Sequence, residues 1–286
     1  MDGRETQKRG VASFPMLLLV VLLALAVTGC RSVARNDPAA QATATAEAKA
    51  AVEASLLLAG TAWDVAYFFE PEQQVAVAPG TRLTTNFLVD RYAGSGGCNW
   101  YLGVYAAGES VLRFYAPAET LIICADEAVN EQEALFHSTM ANTIEYEIDG
   151  EQLIAYTSDR QRLITYDRAA PIPFEGTQWS LKFISTGEDV LPQIPFTEVT
   201  AIFDGARVSG SGGCNEYAAV YTLNGKSMTI GVPEAAAAQC SEPDGIMEQE
   251  ALFLATLPRV ATFEQVGGML LLIDGENTPV MLLGAP

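Results

Sequence analysis

The rhythm of hydrophobic and polar residues divides the chain. Met16 to Val27 is an unbroken apolar run, too short for a comfortable membrane span. Residues 31–58 are rich in alanine and threonine and lack aromatics. Beyond them, apolar residues come in strand-length stretches broken by turn signals. Thr197–Phe203 and Ala206–Gly210 flank Asp204-Gly205, a hairpin signal. Met228–Val232, Thr262–Val266 and Met269–Ile273 also read as strands, with Gly267-Gly268 marking a second hairpin. Asn130–Asn142 and Asp244–Leu257 have the length and residue types of helices. Asp244 is the expected cap of the second and Pro258 its stop. Short helices beside antiparallel strands predict an α+β chain, mainly antiparallel β.

The pattern is written twice. Gly60-Thr61 and Trp63 return as Gly176-Thr177 and Trp179. Phe87, Tyr101, Val104, Tyr105 and Pro117 return as Phe203, Tyr217, Val220, Tyr221 and Pro233, each 116 positions on. The phrase Ser95-Gly96-Gly97-Cys98-Asn99 returns as Ser211-Gly212-Gly213-Cys214-Asn215. Glu-Gln-Glu-Ala-Leu-Phe at 131–136 returns at 248–253, so one residue is inserted before the second helix. Two domains follow, 59–168 and 174–286, joined by a proline-containing linker at 169–173.

The ends and the charge narrow the setting. Arg4, Lys8 and Arg9 precede the apolar run, which closes in Val27-Thr28-Gly29-Cys30. This resembles a bacterial lipobox: residues 1–29 are the expected signal peptide and Cys30 the expected lipidation site. Residues 30–58 then form a tether, which as a flexible coil holds the folded part about 30 Å from the lipid. Arg31 and Ser32 follow the cysteine, with no aspartate to signal inner-membrane retention, so the outer membrane is expected where the host has one. The whole chain carries a formal charge of −19. Removing residues 1–29 takes three basic and two acidic residues from 16 and 35, which leaves 13, 33 and a net −20. Such a surface repels phosphate backbones and anionic bilayers, so nucleic acid is not an expected partner and the lipid must do the anchoring.

Apart from Cys30, the cysteines fall into equal sets, Cys98 with Cys124 and Cys214 with Cys240, each 26 positions apart. In an exported chain paired cysteines become disulfides. Each closed loop contributes roughly 3–4 kcal/mol in the chain-entropy model. On this reading Gly96, Gly97, Gly212 and Gly213 form sharp corners that the cysteines pin, and Asn99 and Asn215 bond local backbone.

Taken together, Gly-Thr-x-Trp, Gly-Ser-Gly-Gly-Cys-Asn-x-Tyr-x-x-x-Tyr, a second Cys and Glu-x-x-Leu/Phe in a helix resemble the META domain, whose members include HslJ-type bacterial envelope proteins. The resemblance covers nearly all of 59–286 in two copies. It implies a strongly curved antiparallel sheet, a partial barrel, around one helix in each domain. It also implies a role in envelope function or stress response, with no catalytic activity established for the family. The copies depart from one another: Thr120, near the second cysteine, is matched by Ala236, and Gly103, between the tyrosines, by Ala219.

Other chemistry finds less support. The chain's one histidine, His137, is matched by Leu254, so a thiol enzyme would lack its base in the second copy. Glu131 and Glu133, repeated as Glu248 and Glu250, are the best acid–base pair for an envelope hydrolase. Residues two apart on a helix do not face each other, and the simpler expectation is that they solvate its outer face. No metal cluster or phosphate loop is present, and neither cofactor nor metal is expected. Asp149-Gly150 reads as a turn. The leading expectation is a non-catalytic, lipid-anchored protein that binds an envelope protein or an apolar ligand through an apolar groove or an open sheet edge. Trp100, matched by Glu216, is either a contact residue or the cover of a local corner.

Overall fold

The computed structural model describes residues 58–70 and 73–286. The signal peptide read at 1–29, the lipidation site Cys30 and all of the tether but Leu58 lie outside them.

The first domain contains β1 (Thr61–Glu70), β2 (Gln73–Ala76), β3 (Thr84–Phe87), β4 (Arg91–Ser95), β5 (Trp100–Ala107), β6 (Leu112–Phe114) and β7 (Ala118–Glu119). Then come α1 (Glu127–Asn142), β8 (Glu145–Asp149), β9 (Gln152–Tyr156) and β10 (Arg162–Arg168). The strands run β6-β5-β4-β3-β1-β10-β9-β8, all antiparallel. A bridge between Val111 and Glu145 brings the two ends together into a near-barrel. Alternation along the strands sends Trp63, Val65, Phe87, Tyr101, Tyr105, Leu153 and Tyr166 inward, where they pack with Phe136 and Met140 of α1.

The second domain repeats this with β11 (Gln178–Ser185), β12 (Val190–Pro192), β13 (Thr200–Asp204), β14 (Arg207–Ser211), β15 (Glu216–Asn224), β16 (Ser227–Ile230) and β17 (Glu234–Ala235). These are followed by α2 (Ile246–Thr256), β18 (Val260–Val266), β19 (Met269–Asp274) and β20 (Pro279–Gly284). Here β20 pairs back onto β11, so the path β11-β13-β14-β15-β16-β18-β19-β20 closes into a full barrel. The partial barrel expected from the sequence is thus complete in this copy. Closure leaves the ring without open edges.

Two helix ends differ from expectation. Asp126 caps α1, its carboxylate accepting from Ala128 N. Asp244 does not cap α2: the cap is Gly245 in the left-handed region, with no side-chain bond. Pro258 does not end the rotation at once, because Leu257–Arg259 continues as a 3-10 turn, which accepts proline in its first positions.

The domains are also not the weakly linked units that a short linker suggests. Outward residues of the first barrel, Ala62, Leu88 and Ala93, are buried against Phe183, Val266, Met269, Leu271 and Leu282 of the second. Trp100 packs at this seam, with the Lys182 ammonium 4.2 Å from its ring centre, so it is neither a free contact residue nor merely the cover of its own corner. Gln265 Nε2 donates to Ile172 O in the linker at 2.6 Å, and Val89 N to Glu264 Oε1 at 3.1 Å.

Burial pulls the Lys182 ammonium down to about 8 and pushes the Glu264 carboxyl up. Below pH 8 Lys182 is charged in both folded and unfolded chains, and its desolvation cost is fully present. Between pH 8 and 10 the unfolded chain holds a proton that the folded one has released, so stability should rise with pH, by less than about 1.4 kcal/mol per unit. Above pH 10 buried tyrosines oppose the trend, for burial pushes Tyr105 up to about 12. Urea unfolding of wild type and Lys182→Met across this range checks it: the variant should lose the rise, and parallel curves would contradict the assignment.

Candidate functional site

The repeated glycine–cysteine phrase joins β4 to β5 and β14 to β15. In each copy the strand pair ends at the serine, and the backbone turns back through Gly96 N→Asn99 O at 2.7 Å and Gly212 N→Asn215 O at 2.8 Å. The loop then encloses a carboxylate from the helix. Glu133 Oε1 accepts from Cys98 N at 3.3 Å and Asn99 N at 2.6 Å, while Oε2 accepts from Asn99 Nδ2 at 2.6 Å. Glu250 does the same with Cys214 N at 2.9 Å, Asn215 N at 2.7 Å and Asn215 Nδ2 at 2.7 Å. The two glutamates are 8% and 4% exposed. Among the described residues no cation lies within ion-pair distance of either, so backbone and amide N–H groups carry the stabilisation.

This overturns one expectation. Glu131 and Glu248 do lie on the exposed helix face, but Glu133 and Glu250 are buried. It also explains the glycines. A Cβ on Gly96 would stand 2.4 Å from Glu133 Oε1, and one on Gly212 would stand 2.8 Å from Glu250. Gly97 and Gly213 have φ of 103° and 121°, which a side chain tolerates poorly.

Asn99 and Asn215 extend the corner to the second cysteine. Asn99 Nδ2 donates to Ile122 O and its Oδ1 accepts from Ile122 N and Thr120 Oγ1. Asn215 exchanges the same pair of bonds with Ala238 and lacks the hydroxyl bond, because Ala236 replaces Thr120. Disulfides Cys98–Cys124 and Cys214–Cys240 close both corners, with Cα atoms 5.9 Å apart. Such bonds form in oxidising compartments, in agreement with an exported protein. The Gly103/Ala219 difference is a packing exchange: the Tyr92 ring would lie 2.5 Å from a Cβ at 103, and in the second copy Val208 takes the place of Tyr92.

Sequence reasoning missed Gln132 and Gln249. Gln132 Oε1 accepts from Ala78 N and its Nε2 donates to Thr81 Oγ1. Gln249 binds Ile194 N and Thr197 Oγ1 alike. The signal was position. Glu133 and Glu250 stand three residues before the core residues Phe136 and Phe253, on the same helix stripe. His137 Nδ1 lies 3.4 Å from Glu119, and its ring meets Tyr101 edge-on. No group of metal-binding side chains occurs among the described residues.

The META domain family model matches residues 56–170 and 172–286. No curated protein matches the chain. Among solved structures, an NMR structure of a protein from Burkholderia xenovorans is 21% identical with a TM-score of 0.36, over 42% of this chain and 88% of that one. A second NMR structure is 19% identical with a TM-score of 0.32, over 40% and 92%.

Proposed function

The chain belongs to the META domain family through both of its halves, and from that premise we propose that it is a non-catalytic, lipid-anchored envelope protein that works by binding an envelope protein or an apolar ligand. The supporting observation is the use made of its most reactive-looking residues. All four cysteines of the described residues are tied in disulfides. Glu133 and Glu250, the best acid–base candidates, have both oxygens engaged by their own loops. The repeated chemistry therefore serves architecture. A cavity of about 200 Å³ beside the interdomain seam, lined in part by Leu102, Phe183, Leu271 and Met281, offers an apolar surface of the binding kind.

Affinity purification of the full chain from detergent-solubilised native membranes tests the binding role. A stoichiometric envelope partner or a co-purifying apolar molecule is expected. Turnover of an ester or glycoside substrate that disappears in Glu133→Gln and Glu250→Gln would overturn the reading in favour of hydrolysis. The anchor rests on Cys30 following Val27-Thr28-Gly29. Cells fed an alkyne fatty acid should label wild type and leave Cys30→Ser unlabelled and uncleaved. Equal label on both would remove the anchor.

A further inference from the structure

Each barrel carries a tight turn next to its helix, and the two copies fill it differently. In the first, Ala78-Pro79-Gly80-Thr81 closes through Thr81 N→Ala78 O at 3.2 Å, with Gly80 at φ 82°. In the second, Ile194-Pro195-Phe196-Thr197 closes through Thr197 N→Ile194 O at 3.3 Å, with Phe196 at φ 64°. Proline followed by a left-handed residue is a type II turn, and glycine is the residue that fits its third position. A bulky side chain there is a conformational outlier.

Nothing in the barrel rewards the exchange, since Phe196 is 97% exposed. Its turn is nonetheless fixed. Gln249 holds Ile194 N and Thr197 Oγ1 at 2.6 and 3.1 Å, and Gln193 Nε2 donates to Thr197 O. The ring thus stands in solvent on a backbone turn that is already fixed, which lowers the cost of ordering the segment on contact.

The segment leading to it has diverged in the same direction. Val190, Leu191 and Pro192 of β12 are exposed, where the first copy has Gln74, Val75 and Ala76. β12 pairs on one side only, with β11. The bonds Gln193 N→Lys182 O and Thr186 N→Asp189 O turn residues 189, 191 and 193 toward β11 and leave Val190 and Pro192 on the free edge. Pro192 has no N–H, which blunts that edge against strand addition. Recognition here goes through side chains.

Charge selects the partner. Residues 186–198 carry Glu188, Asp189 and Glu198, all exposed, and no lysine or arginine. Acidic flanks repel an anionic bilayer and favour a cationic rim.

We propose that residues 190–196 form a docking surface for a protein that receives Phe196 in an apolar pocket rimmed by lysine or arginine. The proposal rests on the interaction role given above and assigns it to one surface. Replacing Phe196 with photoreactive benzoylphenylalanine in the full chain, in native membranes, tests it. The expected adduct is with a protein, at a site with apolar and basic residues, and salt should suppress it. The same probe at Gly80 should give no adduct. Phe196→Gly should cut co-purification of that partner by about tenfold or more, with Tm unchanged or raised because the turn relaxes. Adducts to lipid, equal adducts at both turns, no adduct, or a lowered Tm in Phe196→Gly would each overturn it. A partner recovered equally by wild type and Phe196→Gly would overturn this surface alone and leave the broader binding role standing.

Discussion

Glu250→Ala is expected to destabilise the second domain by about 3–5 kcal/mol. The substitution strands Cys214 N and Asn215 N, which donate to the carboxylate at 2.9 and 2.7 Å, and takes one of two acceptors from Asn215 Nδ2, which keeps its bond to Ala238 O. A buried unpaired donor costs roughly 1–3 kcal/mol, and more where its lost partner was charged. Cys214 is only partly buried, so water recovers some of that loss. Glu250→Gln keeps the volume but turns an NH2 toward donors, and should fall between alanine and wild type. Glu248→Ala, two residues away on the exposed face, is the control and should change stability by less than about 0.5 kcal/mol. Urea denaturation reads all three. Equal midpoints for Glu250→Ala and Glu248→Ala would show that the corner does not depend on its carboxylate.

Cys214→Ala should cost about 2–5 kcal/mol, the usual scale for a native disulfide in a small secreted domain. Its reach is what the seam changes. Two domains joined by a few linker residues would let the first keep its stability while the second fails. Here Leu88 and Ala93 of the first barrel are fully buried, and Phe183, Met269 and Leu282 of the second meet them. Unfolding the second barrel strips that cover from the first. Calorimetry should therefore show one transition in wild type and one, moved down, in Cys214→Ala. Two separated peaks, with the upper unmoved, would mean that the seam contributes little.

Local signals in the sequence carried most of the architecture. The repeat, the hairpins at Asp204-Gly205 and Gly267-Gly268 and the cysteine pairs all rest on neighbouring residues or on fixed spacing, and the structure has them. The buried glutamates were hidden because a carboxylate in a helix reads as solvated, and what holds it lies 34 or 35 positions away. The cap at Asp244 failed because Gly245 takes the left-handed turn itself. The seam left one readable trace. Met269–Ile273 is apolar at every position, whereas a strand with one face in water alternates. Both of its faces are covered, one by its own barrel and one by the other.

The seam joins unlike surfaces. The first barrel offers Ala62, Ala93 and Trp100, while the second offers Phe183, Met269 and Leu271. Head-to-tail contacts of this kind, repeated in every unit, add further units without limit unless they close into a ring. In the second barrel the places of Ala62, Ala93 and Trp100 are held by Gln178, Ser209 and Glu216, all exposed and polar. The tail of the second unit therefore has no counterpart to the head of the first, and an assembly built on this contact ends at two barrels, within a single chain.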